Sequence, residues 1–216
     1  MLLIAAGAGG SVPAQDLGQT VTLPPPQVQG SMAVEQALQQ RRSTREFAAV
    51  PLGLQDVAQV LYAAQGVTDP RGWRAAPSAG ALAPLEVYLV AGKVLGLQPG
   101  VYGYRPDAHA LIPVRAGELL GELAVAALGQ AAVRDAPAVL VIAAVYQRTR
   151  ARYGSRAERF VHLEAGQASQ NVYLQCTARG LATVFVGAFD DARVRSVLGL
   201  PSDQVPLGLM PFGRPK

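Results

Sequence analysis

The run Arg41-Arg42-Ser43-Thr44-Arg45 is the densest group of side chains able to do chemistry. Guanidinium groups flanking a hydroxyl suit a phosphate monoester. Arginine donates paired, charge-assisted hydrogen bonds, and serine fills a remaining acceptor position. The run has a second reading: Ser43 and Glu46 have the spacing of a helix capping box. Pro51 follows too soon for a full-length helix, however, and the arginines would then be plain surface charge. Pro77-Ser78-Ala79-Gly80-Ala81 is a loop of small residues just before a predicted strand. Such a loop lets backbone amides approach a flat ring closely, although glycine and serine mark any turn. Val184-Phe185-Val186-Gly187-Ala188 reads as a strand ending in two small residues. Amides there either face a ligand or simply make a strand-to-helix turn.

Other chemistries find little support. Cys176 is the only cysteine, which rules out an internal disulfide and a thiolate metal cage. His109 and His162 are the only histidines and lack ligand spacing, so no metal site is expected. Neither a G-x-S-x-G elbow nor a G-x-x-x-x-G-K-[ST] loop occurs. Gly7 to Gly10 has no strand before it and does not qualify as a dinucleotide fingerprint. The net charge of +4 comes mainly from residues 41–45 and 148–159, without a lysine tract or aromatic platform. Local anion binding is expected, and no nucleic-acid partner.

The elements that must position these groups follow from periodicity. Val34, Ala37, Leu38 and Arg41 suit a short helix, and Leu54 to Gln65 a second one stopped by Gly66. Leu85 to Ala91 reads as a buried strand. Val101–Tyr104 and Ala110–Val114 read as a hairpin turning at Pro106-Asp107. A helix is predicted over Gly117–Gln130, and Ala138–Tyr146 is the strongest strand. The longest predicted helix spans Phe160–Arg179, with Val161, Ala165, Ala168, Val172 and Cys176 in one apolar stripe. Cys176 is accordingly read as core. Leu181–Val186 is a further strand, Asp190 a helix N-cap, and Val205–Phe212 the last strand.

With 216 residues, half of them hydrophobic, the chain can build one domain with a large core and retain apolar surface for a second subunit. Residues 1–32 read as a leader and Pro-rich lead-in, and 33–216 as the folded domain. Leu2 to Gly10 followed by Val12-Pro13-Ala14 resembles a signal peptide without its basic start, so export is preferred over a cytoplasmic chain with an alanine-rich leader. No other stretch is long and apolar enough for a membrane span.

Taken in order, these segments resemble the nitroreductase family, closest to its SagB-type, azoline-oxidase-like branch. The resemblance covers roughly Val34 to Lys216. It rests on R-R-S-T-R-E-F at 41–47 and A-A-P-S-A-G-A-L-A-P-L-E-V-Y at 75–88. It continues with R-Y-G-S-R-A-E-R-F-V-H-L-E-A-G-Q-A-S-Q-N at 152–171, G-L-A-T-V-F-V-G-A-F-D-D at 180–191 and M-P-F-G-R-P at 210–215. It implies an α+β fold with a central, mostly antiparallel sheet flanked by helices, in an intertwined homodimer that holds FMN between its subunits. By position, Arg41, Arg42, Ser43 and Arg45, joined by Arg214, would hold the flavin phosphate and ribityl chain. Pro77, Ser78 and Ala79 would line the ring from the other subunit. Phe185, Val186, Gly187 and Ala188 would pack on the ring, with an amide near Gly187 reaching N5.

Two positions depart from the family pattern. Ala83 stands where the family loop usually has tyrosine, which enlarges the pocket. Arg152-Tyr153 stands where azoline oxidases have a Lys-Tyr pair implicated in proton removal. Arginine makes a poor base, so Tyr153 acts, or Arg152 orients an anionic substrate, or Arg152 is only a solvated member of a basic run. The expected function is an FMN-dependent oxidoreductase moving a hydride to or from a small organic or peptide-derived substrate. The alternatives are a nitro or quinone reductase drawing electrons from NAD(P)H, and a flavin-binding protein without turnover.

Overall fold

A computed structural model describes residues 18–216. The segment on which the leader reading rests lies outside the described residues. Seven strands form one sheet in the order β1-β4-β3-β2-β5-β7-β6, every pair antiparallel. The strands are β1 Val21–Thr22, β2 Leu85–Ala91, β3 Gly100–Arg105, β4 Ala110–Ala116, β5 Ala138–Ala144, β6 Ala182–Thr183 and β7 Val205–Gly213. The helices are α1 Val34–Gln40, α2 Leu54–Gln65, α3 Leu120–Ala126, α4 Ala131–Asp135, α5 Tyr146–Tyr153, α6 Ala157–Ala178 and α7 Asp191–Leu198. The α+β architecture expected from the sequence is the one observed.

β5 shows why its sequence lacks alternation. Ala138, Leu140, Ile142 and Ala144 face one core with α2 and α6, while Val139, Val141 and Ala143 face a second core with α3, α4 and α7. A strand covered on both faces must be apolar throughout. In α6 the stripe of Val161, Ala165, Ala168, Val172 and Cys176 is fully packed inward, and burial pushes the Cys176 thiol up, out of reach of ionisation.

Three elements differ from the sequence reading. The helix expected over Gly117–Gln130 spans only Leu120–Ala126, because Leu128 and Gly129 take left-handed backbone (φ 58° and 76°), and a separate short helix, α4, follows them. The strand expected to reach Tyr146 ends at Ala144, and Tyr146 opens α5. The strand expected over Leu181–Val186 shrinks to β6 plus a single bridge between Val186 and Leu209.

The lead-in runs extended along the domain. Val21 pairs with Leu111, the Leu23 amide donates to the His109 carbonyl, and Gln27 exchanges hydrogen bonds with Gln59. His109 pins it further, its Nε2 lying 2.9 Å from the Pro24 carbonyl and its Nδ1 2.9 Å from the Tyr104 hydroxyl. No helix among the described residues is long and apolar enough to cross a membrane.

Candidate functional site

The arginine run lies just beyond α1, where its backbone is stitched to β6. Ser43 bridges Thr183, the Thr44 amide donates to the Thr183 carbonyl at 3.0 Å, and the Ala48 amide donates to the Arg214 carbonyl at 2.9 Å. This stitching brings residues 41–45 beside the 184–188 segment. Tyr173 of α6 joins the two. Its hydroxyl accepts from the Phe185 amide at 2.7 Å and lies 3.0 Å from Ser43 Oγ, while the Arg41 guanidinium sits 5.1 Å from its ring centroid.

The arginines differ in what they are free to do. Arg42 donates to the carbonyls of Gln39 and Arg41. Arg214 is committed: Nη2 meets Asp56 Oδ2 at 2.9 Å, and Nη1 donates to the Arg179 and Gly180 carbonyls at the end of α6. The other Asp56 oxygen is held by Arg179 at 2.7 Å, so this buried carboxylate is paired on both sides. Arg45 is exposed, and its guanidinium has no partner among the described residues.

The 184–188 segment divides its amides unevenly. Phe185 N–H is taken by Tyr173, and Val186 N–H by the Leu209 carbonyl at 2.8 Å. The amides of Gly187 and Ala188 have no partner among the described residues. The Phe185 ring abuts β7 at Gly208, where an added Cβ would stand 2.3 Å from its edge. Only glycine permits that approach.

The loop at 77–83 is held under strain. Gly80, Ala81 and Ala83 all have positive φ (62°, 56° and 45°), a conformation that disfavours alanine. It persists because the loop is tied at several points. The Ala79 amide donates to Glu164 Oε1 of α6 at 2.8 Å, the Ala83 amide to Ser78 Oγ at 2.9 Å, and Arg148 Nη1 to the Ala83 carbonyl at 3.0 Å. Arg148 is anchored in turn to Glu86. Glu164 is buried, and burial pushes its carboxyl up, partly offset by hydrogen bonds from Ala79 and Ser78.

Arg152 and Tyr153 close the last turn of α5 directly over this loop. A Cβ on Gly80 would lie 2.9 Å from Arg152 Nη1 and 3.0 Å from the Tyr153 hydroxyl. Neighbouring side chains on a helix normally diverge. Here the helix is ending, Gly154 follows at φ 54°, and both side chains reach the same glycine.

The chain therefore makes two groupings of the expected residues. Arg41, Ser43 and Phe185 meet at Tyr173, with Arg45 adjacent in sequence; Ser78, Ala79, Arg152 and Tyr153 meet at Gly80. No hydrogen bond or ion pair joins the groupings among the described residues. Between the end of the 184–188 segment and α5 and α6 lies a cleft of about 710 Å³. Gly187, Tyr146, His162, Arg150 and Glu158 are among the residues lining it.

Tyr173, Glu164, Arg148 and Asp56 were not indicated by sequence reasoning. Each acts across a long sequence separation, 130 residues for Tyr173–Ser43 and 85 for Glu164–Ala79, so no local signal marks it.

Over residues 38–214 the sequence matches the nitroreductase family. A candidate nitroreductase of Methanocaldococcus jannaschii is 45% identical over 198 residues, covering 92% of this chain and 98% of that protein. The crystal structure of a candidate nitroreductase of Ralstonia eutropha aligns with a TM-score of 0.81 at 30% identity, covering 99% of both chains. The Vibrio harveyi NADPH:FMN oxidoreductase, solved in complex with NAD+, shares the fold with a TM-score of 0.62 at 24% identity. That alignment covers 85% of this chain and 69% of the other.

Proposed function

This chain belongs to the nitroreductase family and is an oxidoreductase, and from that premise we propose that it binds flavin mononucleotide between two copies of itself. Its reaction moves a hydride to or from a small organic or peptide-derived substrate, as in the SagB-type branch. One observation carries the flavin reading: the unpartnered amides of Gly187 and Ala188, on a segment that Tyr173 ties to Ser43. A phosphate at the uncommitted Arg45, with Arg41, Arg42 and Ser43 around it, fits the charge and hydrogen-bonding capacity of the run. Arg214 braces this end through Asp56 and the α6 carbonyls, with its Nε left for the phosphate. The aligned Vibrio harveyi enzyme, an NADPH:FMN oxidoreductase by name, agrees with the cofactor.

When bound, the flavin supplies two-electron hydride chemistry. The chain's own residues orient it. Phe185 and Val186 back the ring, and the Gly187 and Ala188 amides donate towards it. The second grouping, Pro77, Ser78 and Ala79 with Arg152 and Tyr153 above them, faces the other copy's flavin in this reading. That no hydrogen bond or ion pair joins it to the Phe185 grouping among the described residues supports that assignment, as do the exposed Leu38, Leu163 and Phe185.

The visible spectrum of protein incubated with FMN and desalted tests the reading. Flavin absorbance retained in proportion to protein is the expected result, and its absence overturns the proposal. Anaerobic bleaching by NADPH alone would favour a nicotinamide-driven nitro or quinone reductase over a SagB-type dehydrogenase. A bound flavin that no donor reduces would mark a binding protein without turnover.

A further inference from the structure

We infer that His162, held by Tyr146, exchanges a proton with a substrate oxygen in the cleft beside Gly187. The inference rests on the flavin reading above. Tyr146 begins α5 and His162 lies near the start of α6, and both line the cleft that Gly187 borders. The Tyr146 hydroxyl is 2.5 Å from His162 Nε2, and the rings meet edge to face at 5.8 Å. His162 Nδ1 has no hydrogen-bond partner among the described residues.

This arrangement suits reversible proton transfer. Burial, and then the nearby Glu158 and Asp191 carboxylates, push the Tyr146 hydroxyl above the usual phenol range. Tyr146 therefore stays a neutral phenol. A phenolate opposite Nε2 would lock the imidazole in its charged form, whereas in the tautomer that carries its proton on Nε2 a phenol oxygen accepts from Nε2–H and leaves Nδ1 to cycle. The other charged groups lining this cleft and the adjoining one are Arg150 from α5, Glu158 and Arg159 from α6, Asp191 from α7, and Asp203 before β7.

The proton balance is simple. An acceptor carbonyl that gained a hydride would open its C=O π bond and would need one proton on oxygen. That proton comes from Nδ1 of the imidazolium, and solvent restores it. A substrate oxidised in the same cleft runs the transfer backwards, losing its proton to Nδ1.

The test uses FMN-loaded wild type, His162→Asn and Tyr146→Phe. Each is reduced with dithionite and mixed anaerobically with 1,4-benzoquinone across a pH series, and the His162 imidazole is titrated by NMR in the same preparations. In wild type, flavin reoxidation should slow as pH rises through the imidazole titration. His162→Asn should keep its flavin, lose that limb and react on the order of a hundredfold more slowly. Tyr146→Phe should keep the limb but displace it together with the NMR titration. Wild-type rate and pH profile in fully loaded His162→Asn overturns the inference while leaving the flavin reading intact, and so does an unmoved imidazole titration in Tyr146→Phe. Wild type that takes up no FMN overturns the flavin reading itself, and the proton role falls with it.

Discussion

The Tyr173 hydroxyl accepts the Phe185 amide at 2.7 Å and meets Ser43 Oγ at 3.0 Å, fixing two segments of the candidate site from one helix. Tyr173→Phe removes one oxygen and with it both of these exposed hydrogen bonds. A hydrogen bond of this kind contributes about 0.5–1.5 kcal/mol. FMN affinity should fall about tenfold in a titration by flavin fluorescence, while the far-UV spectrum stays unchanged. Equal affinity in the two proteins would show that this junction does not shape the site.

Arg45→Ala should purify largely without flavin, and the double variant Ser43→Ala, Arg45→Ala more completely so. Removing a charged, hydrogen-bonded partner of a phosphate costs about 2–5 kcal/mol, or tens- to thousands-fold in affinity. The ratio of flavin to protein absorbance measures it. Full occupancy in both variants would move the phosphate elsewhere.

Tyr153→Phe should slow substrate-dependent flavin reduction without loss of flavin, whereas Arg152→Lys should retain or raise activity towards azoline-like substrates. The motive is their convergence over Gly80 in the strained loop. Stopped-flow reduction separates the two outcomes. If Tyr153→Phe reduces at the wild-type rate, the pair serves the loop's packing alone.

Glu164 gives a prediction about stability and pH. Burial raises its carboxyl in the folded protein above the unfolded value. Its contribution is therefore fully present below the unfolded value and lost as pH rises through the folded one. Glu164→Gln keeps an oxygen to accept from the Ala79 amide but carries no charge. Thermal melting should place the variant above wild type near neutral pH, the gap closing below about pH 4, where unfolded glutamate protonates. A gap that widens in acid would mean the carboxylate itself stabilises the loop.

Multi-angle light scattering at low micromolar concentration should give twice the chain mass. The exposed Leu38, Leu163 and Phe185, and two groupings that no hydrogen bond or ion pair joins among the described residues, motivate this. A flavin-loaded monomer would require one chain to complete the site alone.

Much of this architecture is legible in the sequence, for particular reasons. Ala138–Ala144 announces a central strand because both its faces are buried, and the α6 stripe marks a helix because only one of its faces is. α5 was missed because Tyr-Gln-Arg-Thr-Arg-Ala-Arg-Tyr at 146–153 has no apolar stripe, with Thr149 its single buried residue. The break at Leu128–Gly129 was missed because leucine gives no warning of a left-handed backbone. In the site, residue types pointed to phosphate and ring contacts. Nothing local pointed to Tyr173 or Glu164, whose partners become neighbours only when the sheet and α6 are packed together.

α6 carries His162, Glu164 and Tyr173 in one uninterrupted helix. With 1.5 Å of rise per residue, Tyr173 stands about 16 Å along the axis from His162. The helix is thus the gauge that sets the reach of the candidate site, from the Tyr173 junction to the cleft. Substitutions along its outer face leave that gauge alone. A single inserted or deleted residue between 165 and 172 does not: it turns everything beyond it by about 100° and swings Tyr173 away from both Ser43 and Phe185. Change of length, more than change of identity, is what this helix cannot absorb.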